Sequence, residues 1–232
     1  MKWIRKNIPN LFTLGNLILG VLAIQEVILN NGSEPPKVHY YVFLAAFFDL
    51  LDGAISRALG VTSKIGGELD SLADLITFGV LPTFIYASFY PLKGLGYLIL
   101  LVPVSSAIRL AVFNTSSDQS TSFKGISTTA HGLFAACLPI ILWQKDMYLL
   151  ENKNIVLIIA IFFSFLMVSP LRMISLKFNN STLKDNWDKY ILLLGSAILA
   201  IVFKFESAVW IMILYLVLSL LTHFKNSSKT NT

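Results

Sequence analysis

This sequence predicts an all-α fold, a polytopic membrane helical bundle with about eight transmembrane helices, and three observations carry that prediction. Of 232 residues, 55% are hydrophobic and only 13% are charged, about half the charged share of ordinary soluble domains. Mean hydropathy is +0.70. The apolar residues fall in blocks close to the roughly 20 residues that a helix needs to cross a bilayer. Because these blocks run almost from end to end, no separate water-soluble unit fits, and residues 1–232 are read as one integral membrane domain.

The first block, residues 11–30, follows a basic start with Lys2, Arg5 and Lys6. No small-residue cleavage pattern follows it, so it is expected to be retained rather than removed as a signal peptide. Asn30 to Ser33 and the pair Pro35-Pro36 break the chain before the second block, 38–58. The third and fourth, 71–91 and 95–113, are parted by the stretch from Pro91 to Gly94. A polar run from Asn114 to Ser122 precedes the fifth block, 126–143, and is expected to form a loop facing the candidate site. The sixth spans 154–177, and the polar run from Asn179 to Asp188 separates it from the seventh, 188–204. Only Lys204 to Glu206 join the seventh block to the eighth, 207–224, which predicts a tight helical hairpin. The first six are expected to form the catalytic core, with the last two packing outside it or between subunits. No internal repeat is evident, which argues against a transporter built from inverted halves.

Basic residues set the expected orientation. With both termini in the cytoplasm, 13 of the 18 Lys and Arg lie inside, among them Arg5, Arg57, Lys64, Arg109, Lys124, Arg172, Lys177 and Lys184. Only Lys37, Lys93, Lys145, Lys153 and Lys204 lie outside. That asymmetry favours a multi-pass protein of a cell or inner membrane with both termini and the site cytoplasmic. The net charge of +5 is explained by this flanking pattern. No Lys/Arg cluster with interleaved aromatics points to nucleic acid. Cys137 is the single cysteine, so an intramolecular disulfide is excluded and a buried, inert thiol is expected. His39, His131 and His223 are far apart in sequence and are read as interfacial or pocket residues rather than metal ligands.

Against this apolar background stand four aspartates within 26 residues: Asp49, Asp52, Asp70 and Asp74. Each carboxylate in the hydrocarbon region costs roughly 2.5–3.5 kcal/mol, so four uncompensated ones would cost on the order of 10 kcal/mol. Spacings of three and four residues put each pair on one helix face. Two such helices facing one another make an oxygen-rich pocket suited to hard divalent cations, Mg²⁺ or Mn²⁺, which would in turn bind phosphate oxygens. Gly53 permits close approach, Arg57 offers a bidentate grip on phosphate, and Gly66 opens the next helix. Taken singly, an aspartate near a helix end is more often a cap or an ion-pair partner. Arg57 and Arg109 would otherwise anchor helices at headgroups, and Asn10, Thr13 and Asn16 would otherwise cap and pack the first helix.

The order Asp49-x-x-Asp52-Gly53-x-x-Ser56-Arg57, eight residues, then Gly66-x-x-x-Asp70-x-x-x-Asp74, resembles the signature of the CDP-alcohol phosphotransferase family, with Ser56 where the family usually has alanine. The resemblance implies a membrane enzyme holding two divalent cations, on which a CDP-linked lipid is attacked by an alcohol and CMP leaves. It implies Asp49, Asp52, Asp70 and Asp74 as metal ligands, with Asp74 also the catalytic proton acceptor. Asn10, Thr13, Gly53, Arg57, Ser63 and Gly66 match positions that contact the CDP-lipid. The runs Ile8 to Asn16, Glu68 to Pro82 and Arg109 to Asn114 are similar to the serine-using branch, although Val112 replaces a usual basic residue there. That branch implies CDP-diacylglycerol and L-serine as substrates, phosphatidylserine and CMP as products, Arg109 as a partner for the acceptor carboxylate, and a homodimer in the bilayer. Glycerol 3-phosphate or inositol is the alternative acceptor. A divalent-cation transporter is the alternative from another class, disfavoured because residues 75–117 hold no acid.

Overall fold

The computed structural model describes residues 2–30, 37–61, 63–115, 124–143, 153–171, 173–174 and 186–230. Each of the eight apolar blocks contributes a helix. The elements are α1 (Lys2–Leu29), α2 (Val38–Leu59), α3 (Lys64–Asp74), a π-helical segment (Leu75–Val80), α4 (Leu81–Phe89), a 3₁₀ segment (Gly94–Leu100), α5 (Leu101–Thr115), α6 (Thr128–Trp143), α7 (Lys153–Met167), α8 (Trp187–Phe203), a 3₁₀ turn (Lys204–Glu206) and α9 (Ser207–Thr230). Among the described residues, four stretches are long and apolar enough to cross a membrane: Asn7–Leu29, Lys64–Phe89, Gly94–Thr115 and Trp187–His223, the last folded back at its 3₁₀ turn. Outward faces carry many large apolar side chains, with Leu50 71% and Ile201 81% exposed, which suits lipid rather than water.

Two apolar cores hold the bundle. Ala23, Val27, Val42, Phe78, Leu81 and Ile85 join α1, α2, the π segment and α4, while Tyr86, Ile99, Val102, Phe134, Val156 and Phe163 join α4 to α7. The hairpin of α8 and α9 packs through Leu192 and Leu218, and Phe205 at its turn meets His39 and Phe43 of α2 at ring-centroid distances of 4.8 and 5.4 Å.

The π segment follows Asp74 directly, and α1 packs tightly against it. A Cβ placed on Gly20 would lie 2.2 Å from Thr77 Oγ1 and 3.1 Å from Thr77 Cα. Gly20→Ala is therefore expected to force α1 away and to destabilise the fold by about 1–3 kcal/mol, the usual range for overpacking. Thermal unfolding in detergent checks this, and an unchanged melting temperature would contradict the close approach.

Three expectations need correction. The third span begins at Lys64 rather than 71 because Ser63 caps α3, its Oγ accepting from Gly66 N at 2.9 Å. The sixth ends at Met167 rather than 177, since Pro170 lacks the N–H that a further turn needs. The chain continues there without helix: Leu171 O accepts from Gly125 N at 2.8 Å and Leu166 O from Ile126 N at 3.3 Å. His131 is fully buried rather than interfacial, because Tyr86 Oη lies 2.9 Å from its Nε2 and supplies a hydrogen-bonding partner. Lys145, Arg172, Lys177, Lys184 and residues 116–123, used in the orientation and loop readings, lie outside the described residues.

Candidate active site

Helix α2 ends where Gly60 adopts φ +61°, the left-handed conformation that glycine takes without strain, and its N–H bonds back to Arg57 O at 3.2 Å. Ser56 Oγ donates to Val61 O, so the hydroxyl replacing the family's alanine ties the helix end to the turn. With Ser63 capping α3 only three residues later, the chain reverses and the acidic faces of α2 and α3 meet. Asp49, Asp70 and Asp74, all partly buried, bring carboxylate oxygens within 4.8 Å of one another.

Helix α1 closes the third side. Thr13, 2% exposed, donates its hydroxyl to Asp52 Oδ2 at 2.6 Å. Asp52 is therefore held by α1 and stands outside the three-carboxylate group. Asn16, fully buried, donates Nδ2 to Asp74 Oδ1 at 3.1 Å. The sequence reading left Asn16 out of the site. A signal existed: Asn10, Thr13 and Asn16 recur every third residue and make one polar stripe in the otherwise apolar stretch 8–24 of α1.

Beside the carboxylates lies a pocket of about 250 Å³ lined by Asn10, Thr13, Asp52, Gly53, Ser56, Ser63, Gly66 and Asp70, with Pro9, Val61 and Gly67. Five of the six residues assigned to the CDP-lipid by resemblance thus share one concavity. Arg57, the sixth, is exposed and folds back over α2, where a Cβ on Gly53 would lie 3.3 Å from its Nη1. Asp70 belongs to both groups, lining the pocket and completing the three carboxylates.

Arg109 is differently occupied. Its Nη1 donates to Lys124 O at 2.7 Å and to Met167 O at 3.0 Å, fastening the segment before α6 and the end of α7 to α5. Further along α5, Asn114 and Ser71 exchange hydrogen bonds at 2.9 and 3.2 Å, which ties α5 to α3 one residue from Asp70. Arg109→Met is expected to lower stability by about 1–3 kcal/mol, because the carbonyls of Lys124, before α6, and Met167, at the end of α7, lose their donor. A melting temperature in detergent equal to the wild type would rule that clamp out.

The electrostatics demand compensation. Two full negative charges 4.8 Å apart repel by about 3.5 kcal/mol at an effective dielectric constant of about 20. Among the described residues no basic side chain forms an ion pair with any of the four aspartates. Asp70 Oδ1 is buried without a hydrogen-bond partner. Hard, closely spaced carboxylate oxygens with unmet coordination fit divalent cations such as Mg²⁺ or Mn²⁺, and Asp49, Asp70 and Asp74 are the residues that would hold them.

Comparison with known proteins identifies the family. Residues 6–166 match the family model described as CDP-alcohol phosphatidyltransferase, a stretch that begins in α1 and stops at the end of α7. A CDP-diacylglycerol--serine O-phosphatidyltransferase of Bacillus subtilis is 33% identical over 171 residues, 71% of this chain and 88% of the relative. One from Helicobacter pylori is 33% identical over 202 residues, 84% of this chain and 81% of the relative. One from Methanocaldococcus jannaschii is 31% identical over 166 residues, 71% of this chain and 72% of the relative.

Proposed function

Since this chain belongs to the CDP-alcohol phosphatidyltransferase family, we propose that it transfers the phosphatidyl group of CDP-diacylglycerol to L-serine, giving phosphatidylserine and CMP. The observation that carries the reading is Asp70's double membership, which sets a pocket sized for part of a nucleotide against a carboxylate cluster suited to cations. The serine acceptor is supported by the names of the relatives.

In this reading Asn10, Thr13, Gly53, Ser63 and Gly66 bind the cytidine and pyrophosphate, with Arg57 closing over the phosphates from the rim. Asp49, Asp70 and Asp74, with Asp52 through the oxygen that Thr13 leaves over, would hold two divalent cations, which when bound would neutralise the pyrophosphate and stabilise charge at the phosphorus under attack. Asp74 accepts the proton of the serine hydroxyl as its oxygen bonds to the lipid-side phosphorus. The bond from that phosphorus to the bridging oxygen breaks, and CMP departs with the electron pair. Because the proton acceptor is already positioned beside the nucleophile, the step avoids releasing a free alkoxide. Arg109 is the candidate partner for the serine carboxylate through the donors that its two carbonyl contacts leave over. We place the site at the cytoplasmic face of the inner membrane, with both termini inside, from the basic-residue asymmetry. Like other family members, the protein is expected to act as a homodimer.

The test is CMP release from CDP-diacylglycerol in Mg²⁺ or Mn²⁺ with serine, glycerol 3-phosphate or inositol as acceptor. Serine-dependent release supports the proposal. Release stimulated only by another alcohol would replace the acceptor, and no release at all would remove the reaction.

A further inference from the structure

Asn16 is an unusual residue to find where it is. Its side chain is fully buried on α1, its Nδ2 donates to Asp74 Oδ1 at 3.1 Å, and its own Oδ1 is buried with no hydrogen-bond partner. Flipping the amide would not help, since it would set Oδ1 against a carboxylate oxygen. A buried acceptor left unsatisfied is unfavourable, so a leucine of nearly the same shape would serve packing better. The residue is therefore not explained by stability. Its backbone is also fixed: Asn16 O accepts from Thr77 Oγ1 at 3.2 Å, on the π segment that begins one residue after Asp74. Both ends of the contact are thus anchored to the same stretch of chain.

We propose that Asn16 is a positioning residue for Asp74: its amide engages one carboxylate oxygen and so fixes the orientation in which the carboxylate meets both the cation site and the acceptor hydroxyl. The inference rests on the role given to Asp74 above. It assigns to α1 a function in the transfer step, in addition to the pocket wall made by Asn10 and Thr13.

Asn16→Leu and Asn16→Ala, made in the full chain, test it. Serine-dependent kcat is expected to fall about 10- to 100-fold in both, as for a catalytic group displaced by about an ångström, while KM for CDP-diacylglycerol stays within about threefold. The melting temperature of Asn16→Leu is expected to be unchanged or higher. Mn²⁺ titration followed by electron paramagnetic resonance gives a readout independent of turnover. Affinity is expected to weaken at least about threefold in Asn16→Leu, because Asp74 is no longer held in ligating position. Wild-type kcat in both variants would overturn the proposal. So would losses of kcat, CDP-lipid binding and melting temperature in step, which would mark Asn16 as structural. Should the wild type release no CMP with any acceptor, the proposed reaction fails and the Mn²⁺ titration decides the positioning claim alone: weaker binding supports it and equal binding overturns it.

Discussion

Asp74→Asn is expected to lower serine-dependent CMP formation by about 10³-fold or more, combining loss of the proton acceptor, about 10²–10⁴ by itself, with loss of a charged ligand oxygen. Asparagine keeps the shape of the side chain and its place beside Asn16, so the fold and the nucleotide pocket are left intact; Asp74 is not among the residues lining that pocket. Binding of CDP-diacylglycerol, measured by isothermal calorimetry or retention of labelled lipid, should therefore survive in part. Turnover within about tenfold of wild type would reject Asp74 as the acceptor of the proton.

Asp70→Asn is expected to be as damaging to turnover and more damaging to substrate binding. Its side chain is shared between the carboxylate group and the pocket, so in the proposed reaction its charge would act both on the cations and, through them, on the pyrophosphate. A carboxylate lost from a shared cation site costs several kcal/mol of transition-state stabilisation, about 10³-fold or more in rate. Wild-type protein stripped with EDTA should show the same defect and recover on adding Mg²⁺ or Mn²⁺, whereas Asp70→Asn should not recover at matched concentrations. Asp49→Asn serves as the comparison. It removes a member of the three-carboxylate group that does not line the pocket, so turnover should fall while apparent affinity for the CDP-lipid falls less. Equal loss of lipid binding in both variants would refute the bridging role of Asp70.

Much of this architecture is legible in the sequence because the relevant physics is local. Block length against bilayer thickness marks the spans, as for Lys64–Phe89 and Gly94–Thr115. Spacings of three and four put Asp49 with Asp52, and Asp70 with Asp74, on single faces. Where the local reading slipped, a local signal had been outweighed: apolar residues continue past Met167, but Pro170 stops the helix, and polar residues precede 71, yet Ser63 caps a helix through them. His131 was read by its polarity, and its Tyr86 partner lies 45 residues away in sequence.

By itself the sequence determined that this is a helical membrane protein carrying two acidic pairs in the signature order of its family, because helix periodicity and hydrophobic length are properties of neighbouring residues. Only the tertiary structure decided which carboxylates come together: Asp49, Asp70 and Asp74 gather, while Asp52 is claimed by Thr13 from 39 residues away. It likewise decided that Asn16 holds Asp74 across 58 residues and that Arg109 spends a nitrogen on the carbonyls of Lys124 and Met167. The reason is that such partnerships are set by how closely α1 can approach α2 and the π segment, a matter of fit at Gly20 and Thr77, and no periodicity along the chain encodes which side chain arrives from another helix.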